Sequence, residues 1–209
     1  MRAKELILAY AKEVLEKEAK ALLNIDSKLD NDFAQAVQLI LKTINSGGRV
    51  IVTGVGKSGH VGRKIAATMA SLGTPCYFVH SDEALHGDLG MITSQDVVIA
   101  ISHSGKTEEL LAMVSRIKNF GNKIIAMVRD KNNPLAEMAD IVVCTYVEHE
   151  ADHLDTAPTA SSTVTLALGD ALAVAIARLQ KFDKQDFLKF HPGGALGKKL
   201  SEVVKNGKQ

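Results

Sequence analysis

The chain has 209 residues, 46% of them hydrophobic, enough to bury one substantial core and a better fit to a single α/β domain than to two. Its 25 basic and 24 acidic residues are well mixed and leave a formal charge of +1, which excludes a broad electrostatic footprint for nucleic acid or a membrane surface. Cys76 and Cys144 lie in apolar strand-like runs, and with no signal peptide or long uncharged apolar segment in view they read as buried free thiols in a reducing cytoplasm.

In chain order, residues 4–23 and 30–46 repeat apolar residues at helical spacing and close on polar or turn residues, which predicts an N-terminal hairpin of two antiparallel helices. From Gly48 the texture changes to short β-branched runs, RVIVTG, CYFVH, VVIAIS, KIIAMV and IVVCTY. Helical segments such as GHVGRKIAATMASLG and KTEELLAMVSRIKNFG separate them, and a long helix at about 160–180 precedes KFDKQDFLKFHPGGALGKKLSEVV. This alternation predicts an α/β fold: a doubly wound, five-stranded parallel sheet flanked by helices, with sites at the carboxyl ends of the strands. Helices 4–46 and an α/β core 48–209 read as one domain, since no repeat or linker divides them.

The first strand runs into GVGKSG, where Gly54, Gly56 and Gly59 have the spacing that grips a dinucleotide pyrophosphate at a helix N-terminus. A P-loop would require glycine at position 51, which is Ile51. The dinucleotide reading keeps Asp82 and Glu83 as ribose-binding acids after the second strand. Against it stands a second anion-ready turn after the third strand, SHSGKTEE, with the Ser102, Ser104 and Thr107 hydroxyls and Gly105. That turn also reads as an ordinary helix cap ahead of Glu108 and Glu109. Two such turns on neighbouring strand ends favour one small phosphorylated ligand.

All seven histidines fall between residues 60 and 191, most in loops at strand ends, His86 in ALHGDLGM and His191 in FHPGG among them. His149, Glu150 and His153 spell H-E-x-x-H, a zinc protease signature when carried on a long helix. Here the motif follows a strand directly and Pro158 arrives five residues later, leaving room only for a short turn.

In combination, GVGKSGHVGRKIAATMASLGTP, ALHGDLGM, AISHSGKTEE, APTASSTVTLALGDALAVA and FHPGGALGKKL resemble the sugar isomerase (SIS) domain of the D-arabinose-5-phosphate isomerase family, over about residues 5–204. The resemblance implies a flavodoxin-like fold and the cofactor-free interconversion of D-arabinose 5-phosphate and D-ribulose 5-phosphate. Family catalytic positions correspond to Lys57, His86, Glu109, Glu150 and His191, and substrate-binding positions to Gly73 and Thr74. A family zinc position, inhibitory in character, falls on His80. Three departures are visible: the chain ends about ten residues after GKKL, where members usually continue into paired CBS modules, so it reads either as a naturally short form or as a piece from which those modules have been removed; ADHLDT replaces an apolar stretch after Glu150; and Lys106 stands where many members carry an acid.

Moving a proton between C1 and C2 through a cis-enediol needs a carbon base, an acid for the oxygens and stabilisation of enediolate charge. Ser102, Ser104 and Thr107 are expected to hold the phosphate with help from Ser58, and Lys57 to steady the enediolate or the phosphate. Glu150 is the first choice for carbon base and His191 for ring opening or oxygen proton transfer, an assignment the sequence leaves exchangeable. Glu109 and His86 are expected to orient and tune them. The partners expected are a small sugar phosphate and further copies of the chain, as a tetramer with sites at subunit boundaries and His191 reaching a neighbour's site. Two other readings stay open: an isomerase of a different sugar phosphate and a non-catalytic sugar-phosphate sensor.

Overall fold

The computed structural model describes residues 3–27 and 29–193; the GALGKKL segment and the rest of the C-terminus, 194–209, lie outside the described residues. Helices α1 (Ala3–Asp26) and α2 (Asn31–Asn45) come first, followed by β1 (Val50–Gly54), α3 (Gly56–Ser71), β2 (Cys76–His80) and a short α4 (Ser81–Leu85). A 3-10 turn at Asp88–Met91 leads to β3 (Val97–Ile101), α5 (Glu108–Asn119), β4 (Lys123–Val128), α6 (Pro134–Met138), β5 (Ile141–Cys144), α7 (Ala160–Leu179) and α8 (Lys184–Phe190).

The five strands lie in the order β2-β1-β3-β4-β5 and every pair is parallel, the doubly wound flavodoxin-like arrangement. Alternate strand residues face opposite layers. Val50, Val52, Ile99 and Met127 pack with α2, α3 and α7, whereas Ile51, Val98, Ala100 and Ala126 pack with α5 and α6. All five residues of β1 and of β3 are buried; β3 reads as an unbroken apolar run, and β1 is broken only by Thr53, whose hydroxyl pairs with that of Ser81 at 3.0 Å.

The N-terminal helices are present as expected, and their packing partners are other elements: α1 lies along α7, and α2 packs on β5 and α7. The Thr163 hydroxyl donates to Glu18 Oε2 at 3.0 Å across the α1–α7 seam. Helix α7 is apolar and long enough to cross a bilayer, but Val164, Leu168, Leu172 and Ile176 are buried in the core. It crosses α3 closely at Gly169, where a Cβ would stand 2.4 Å from the Ile65 side chain.

At the amino ends of the strands, buried Asp96 ties β1 to β3. Its carboxylate accepts the Arg49 N–H at 2.8 Å, the Thr93 N–H at 2.8 Å and the Arg49 guanidinium at 3.2 Å. Gly73 and Thr74 also lie at this end, closing α3 through Gly73 N–H to Ala70 O at 3.1 Å and Thr74 N–H to Met69 O at 2.9 Å. Gly73 has φ +87, as expected of the residue after a helix C-cap.

Candidate functional site

The carboxyl ends of β1, β3 and β5 bring most of the expected residues together. After β1, Gly56 at φ +58 turns the chain into α3 and sets Lys57 and Ser58 in its first turn. Gly59 lies against the carbonyl of Gly54, where a Cβ would stand 2.9 Å from that oxygen. The glycine spacing thus serves close helix-to-strand packing as well as the turn. Asp82 and Glu83, the ribose acids of the dinucleotide reading, stand exposed in the first turn of α4.

After β3, two backbone bonds prolong the ladder to β4: Ser102 N–H to Met127 O and Arg129 N–H to His103 O, both 3.1 Å. The loop is then closed by side chains. Buried Ser102 Oγ accepts the Gly105 N–H at 3.1 Å and lies 3.0 Å from Thr107 Oγ1, while Ser104 Oγ accepts the Lys106 N–H at 3.2 Å. Gly105, at φ +65, is required twice over, because a Cβ there would stand 1.8 Å from Asn133 Oδ1. Thr107 is the N-cap residue of α5 but makes no side-chain cap bond, so its hydroxyl belongs to the loop. The first turn of α5 therefore opens beside a small array of hydroxyls, a setting suited to phosphate.

After β5, residues 145–159 form no helix, so His149 and His153 do not share a helical face and the zinc protease pattern is excluded. Glu150 instead anchors the start of α7. Its Oε2 accepts the Thr159 N–H at 2.9 Å, the Ser161 N–H at 3.1 Å and the Thr159 hydroxyl at 3.2 Å, and Oε1 accepts the Ser161 hydroxyl. Burial pushes this carboxyl up, but the bonds from Ser161 and Thr159 outweigh it and hold Glu150 below its ordinary value. In the departing ADHLDT stretch, Asp155 takes φ +52, pairs with His149 Nδ1 at 2.9 Å and accepts the Glu150 N–H. Its carboxyl is lowered, chiefly by the His149 bond.

Lys57 and Ser58 share a cleft with His103, Pro158, Ser161 and Ser162. Its volume of about 40 Å³ admits water but no pentose phosphate. A second groove of about 200 Å³ beside it is lined by Lys17, Lys20, Asn24, His149 and Glu150, so α1 brings cations to the same edge. His103, Ser161, Lys17 and Lys20 were not among the residues singled out from sequence. His103 lies inside the SHSG loop and Ser161 inside APTAS, so a signal existed for both; nothing in the spacing of α1 marks Lys17 and Lys20 among its four lysines.

Other expected residues are placed differently. Glu109 stands exposed in the first turn of α5, and His86 is exposed at the end of α4. His80 ends β2, with Nδ1 accepting the Asp82 N–H at 3.3 Å as the cap of α4. Among the described residues no group of three histidine, cysteine or acidic side chains is positioned to hold a metal ion. Gly73, Thr74 and His191 are not brought to this cleft within one protomer. Gly73 and Thr74 precede β2, the length of a strand (roughly 15 Å) from its carboxyl end, with their N–H groups engaged and Thr74 buried. Phe182 packs over Gly73 and stacks on Phe190, and His191 stacks on Phe187 at 3.8 Å, which holds α8 and His191 at that opposite end.

A five-stranded parallel sheet whose carboxyl edge carries two glycine- and hydroxyl-bearing turns, each opening a helix, defines a doubly wound, flavodoxin-like α/β domain. The family model for SIS domains matches residues 42–175, and the chain belongs to that family. It is 47% identical over 194 residues to the arabinose 5-phosphate isomerase KpsF of Escherichia coli, covering 93% of this chain and 59% of the relative. To the arabinose 5-phosphate isomerase KdsD of Pseudomonas aeruginosa it is 47% identical over 190 residues, 91% of this chain and 57% of the relative. The chain thus spans less than two thirds of the length of these relatives. An Escherichia coli CFT073 structure in complex with arabinose 5-phosphate superposes with a TM-score of 0.86 at 44% identity, covering 92% of this chain and all of the other.

Proposed function

We propose that the protein is an aldose–ketose isomerase that interconverts D-arabinose 5-phosphate and D-ribulose 5-phosphate through a cis-enediol. The observation that carries this reading is the meeting of Lys57, the hydroxyl loop Ser102–Thr107 and the fixed carboxylate of Glu150 along one sheet edge. The names of the relatives and the structural neighbour bound to arabinose 5-phosphate support the choice of sugar. The reaction is redox-neutral, a proton transfer between two carbons, so it calls for no electron carrier.

In this reading Ser102, Ser104, Gly105 and Thr107 hold the phosphate at the start of α5, with Ser58 assisting. Lys57 balances enediolate charge. Glu150 is the carbon base, its direction fixed by four hydrogen bonds. His191 serves ring opening or oxygen proton transfer, and Glu109 and His86 orient the group. Gly73, Thr74 and His191 lie at the far end of the protomer from the cleft, and the cleft alone is too small for a pentose phosphate. Both observations support a site completed by a neighbouring copy, in a homo-oligomer that we take to be a cytoplasmic tetramer. Exposed Ile7, Leu8, Tyr10 and Leu15 on α1 and Leu179 on α7 offer apolar surface for that assembly. Zinc at His80 would require ligands from outside this protomer's described residues.

The test is a panel of pentose and hexulose phosphates, each incubated with the protein and scored for aldose–ketose conversion. Preferred turnover of D-arabinose 5-phosphate supports the reading; turnover of a different sugar alone moves the assignment to that sugar. Binding without conversion of any of them would make the protein a sensor.

A further inference from the structure

His103 is the one imidazole lining the Lys57–Ser161 cleft among the described residues, and the mechanism above gives it no task. Its position is fixed from two sides, since its carbonyl accepts the Arg129 N–H at 3.1 Å and the flanking Ser102 is locked to Gly105 and Thr107. Its Nδ1 is buried and meets no hydrogen-bond partner. An imidazolium there would hold an N–H with no acceptor, whereas the neutral Nε2–H tautomer leaves only an unpaired acceptor, the less costly of the two. The charged groups around it are Lys57 on α3, Arg129 and Asp130 after β4 and Glu150 after β5. Burial lowers the imidazole, Glu150 and Asp130 oppose this, and Arg129 adds to it; the lowering prevails.

We propose that His103 is a catalytic residue that acts as a neutral hydrogen-bond donor to the sugar oxygen on which negative charge develops as the enediolate forms. A neutral imidazole can stabilise that oxygen and keep its own proton, so no proton needs to leave the site through this residue. The carbon proton goes from C2 to Glu150 and returns to C1, while the O2 hydroxyl proton passes to O1 by way of His191, so every atom is accounted for and His103 gains and loses none. The inference rests on the isomerase reading and extends it to a residue of the phosphate loop.

The experiment compares wild-type protein with His103→Ala and His103→Asn on D-arabinose 5-phosphate and follows the imidazole nitrogens by NMR in labelled wild-type protein. Loss of one such donor should lower kcat by about 100- to 1,000-fold in His103→Ala, with KM changed by less than about threefold. His103→Asn keeps a non-titrating N–H donor and should recover at least about tenfold of that loss. The His103 ring should remain neutral at pH 7 with and without bound sugar phosphate. An unchanged kcat, a loss confined to KM, or an imidazolium in the complex would each overturn the proposal. Should His103→Ala not fold, His103→Asn and the wild-type spectrum still decide it. Wild-type protein that converts no sugar would overturn the isomerase reading itself, and that failure is visible before any variant is compared.

Discussion

In the proposed mechanism Glu150 has two duties, and they make different demands. As the anchor of α7 it must accept from Thr159 and Ser161; as a base it must take up a proton, which the same bonds oppose by favouring the ionised form. Glu150→Gln keeps one acceptor oxygen and turns the other into a donor facing donors, so turnover should fall by about two to four decades. Near wild-type turnover in a folded Glu150→Gln protein would remove Glu150 from the role of base. The pH dependence has a definite sign. A carboxyl held below its ordinary value of 4.5 contributes stability that is present above that value and lost as pH falls through the native one. Thermal melts should therefore show an acid-side loss below about pH 4.5 that is smaller in Glu150→Gln. Among single residues, the glycine and hydroxyl turns at the strand ends marked the loop hydroxyls, whereas Lys57 and Glu150 were named as catalytic through the family resemblance. Neither singled out His103, whose significance comes from burial and from contact with residues far along the chain.

Among the elements, the strands and long helices were legible because their patterns are strong: unbroken apolar runs for buried parallel strands, helical periodicity for α1, α2, α5 and α7. Helices α4 and α6, five residues each, were not read from the sequence, since so short a stretch holds little more than one turn of any period. The end of the sheet at which a turn lies was legible, since in a parallel alternation SLGTP, directly before CYFVH, falls at the amino end; the packing adds that it closes α3 there. The phosphate loop depends on such a packing detail at Gly105. Gly105→Ala adds a methyl at positive φ against Asn133, and Asn133 Oδ1 in turn caps α6 by accepting the Ala136 N–H at 2.9 Å. That variant should lose about 1–3 kcal/mol of stability in denaturant melts and bind sugar phosphate at least about tenfold more weakly by calorimetry. Unaltered affinity would place the phosphate elsewhere.

For the molecule as a whole, the split between the Lys57–Glu150 edge and the Gly73–His191 end is the feature no single protomer resolves. If His191 serves a neighbour's cleft, two inactive variants should repair each other. Mixed oligomers of Glu150→Gln and His191→Ala chains should regain activity, because some sites then receive a wild-type residue from each subunit. Mixtures as inactive as their components would place every catalytic group in one chain. Light scattering on active protein should give a mass well above the 22.4 kDa of one chain. The sequence pointed to such an assembly through the apolar character of helix 4–23, which suits self-association, whereas the charge balance bears only on nucleic-acid and membrane partners.

All of these roles presuppose enediol chemistry on a pentose phosphate, and proton exchange reports on that step itself. Protein incubated in deuterated water with D-ribulose 5-phosphate should place deuterium on C1 while D-arabinose 5-phosphate accumulates, both followed by NMR. Binding of the sugar without deuterium entering C1 and without the aldose forming would refute the isomerase and leave a sugar-phosphate receptor in its place.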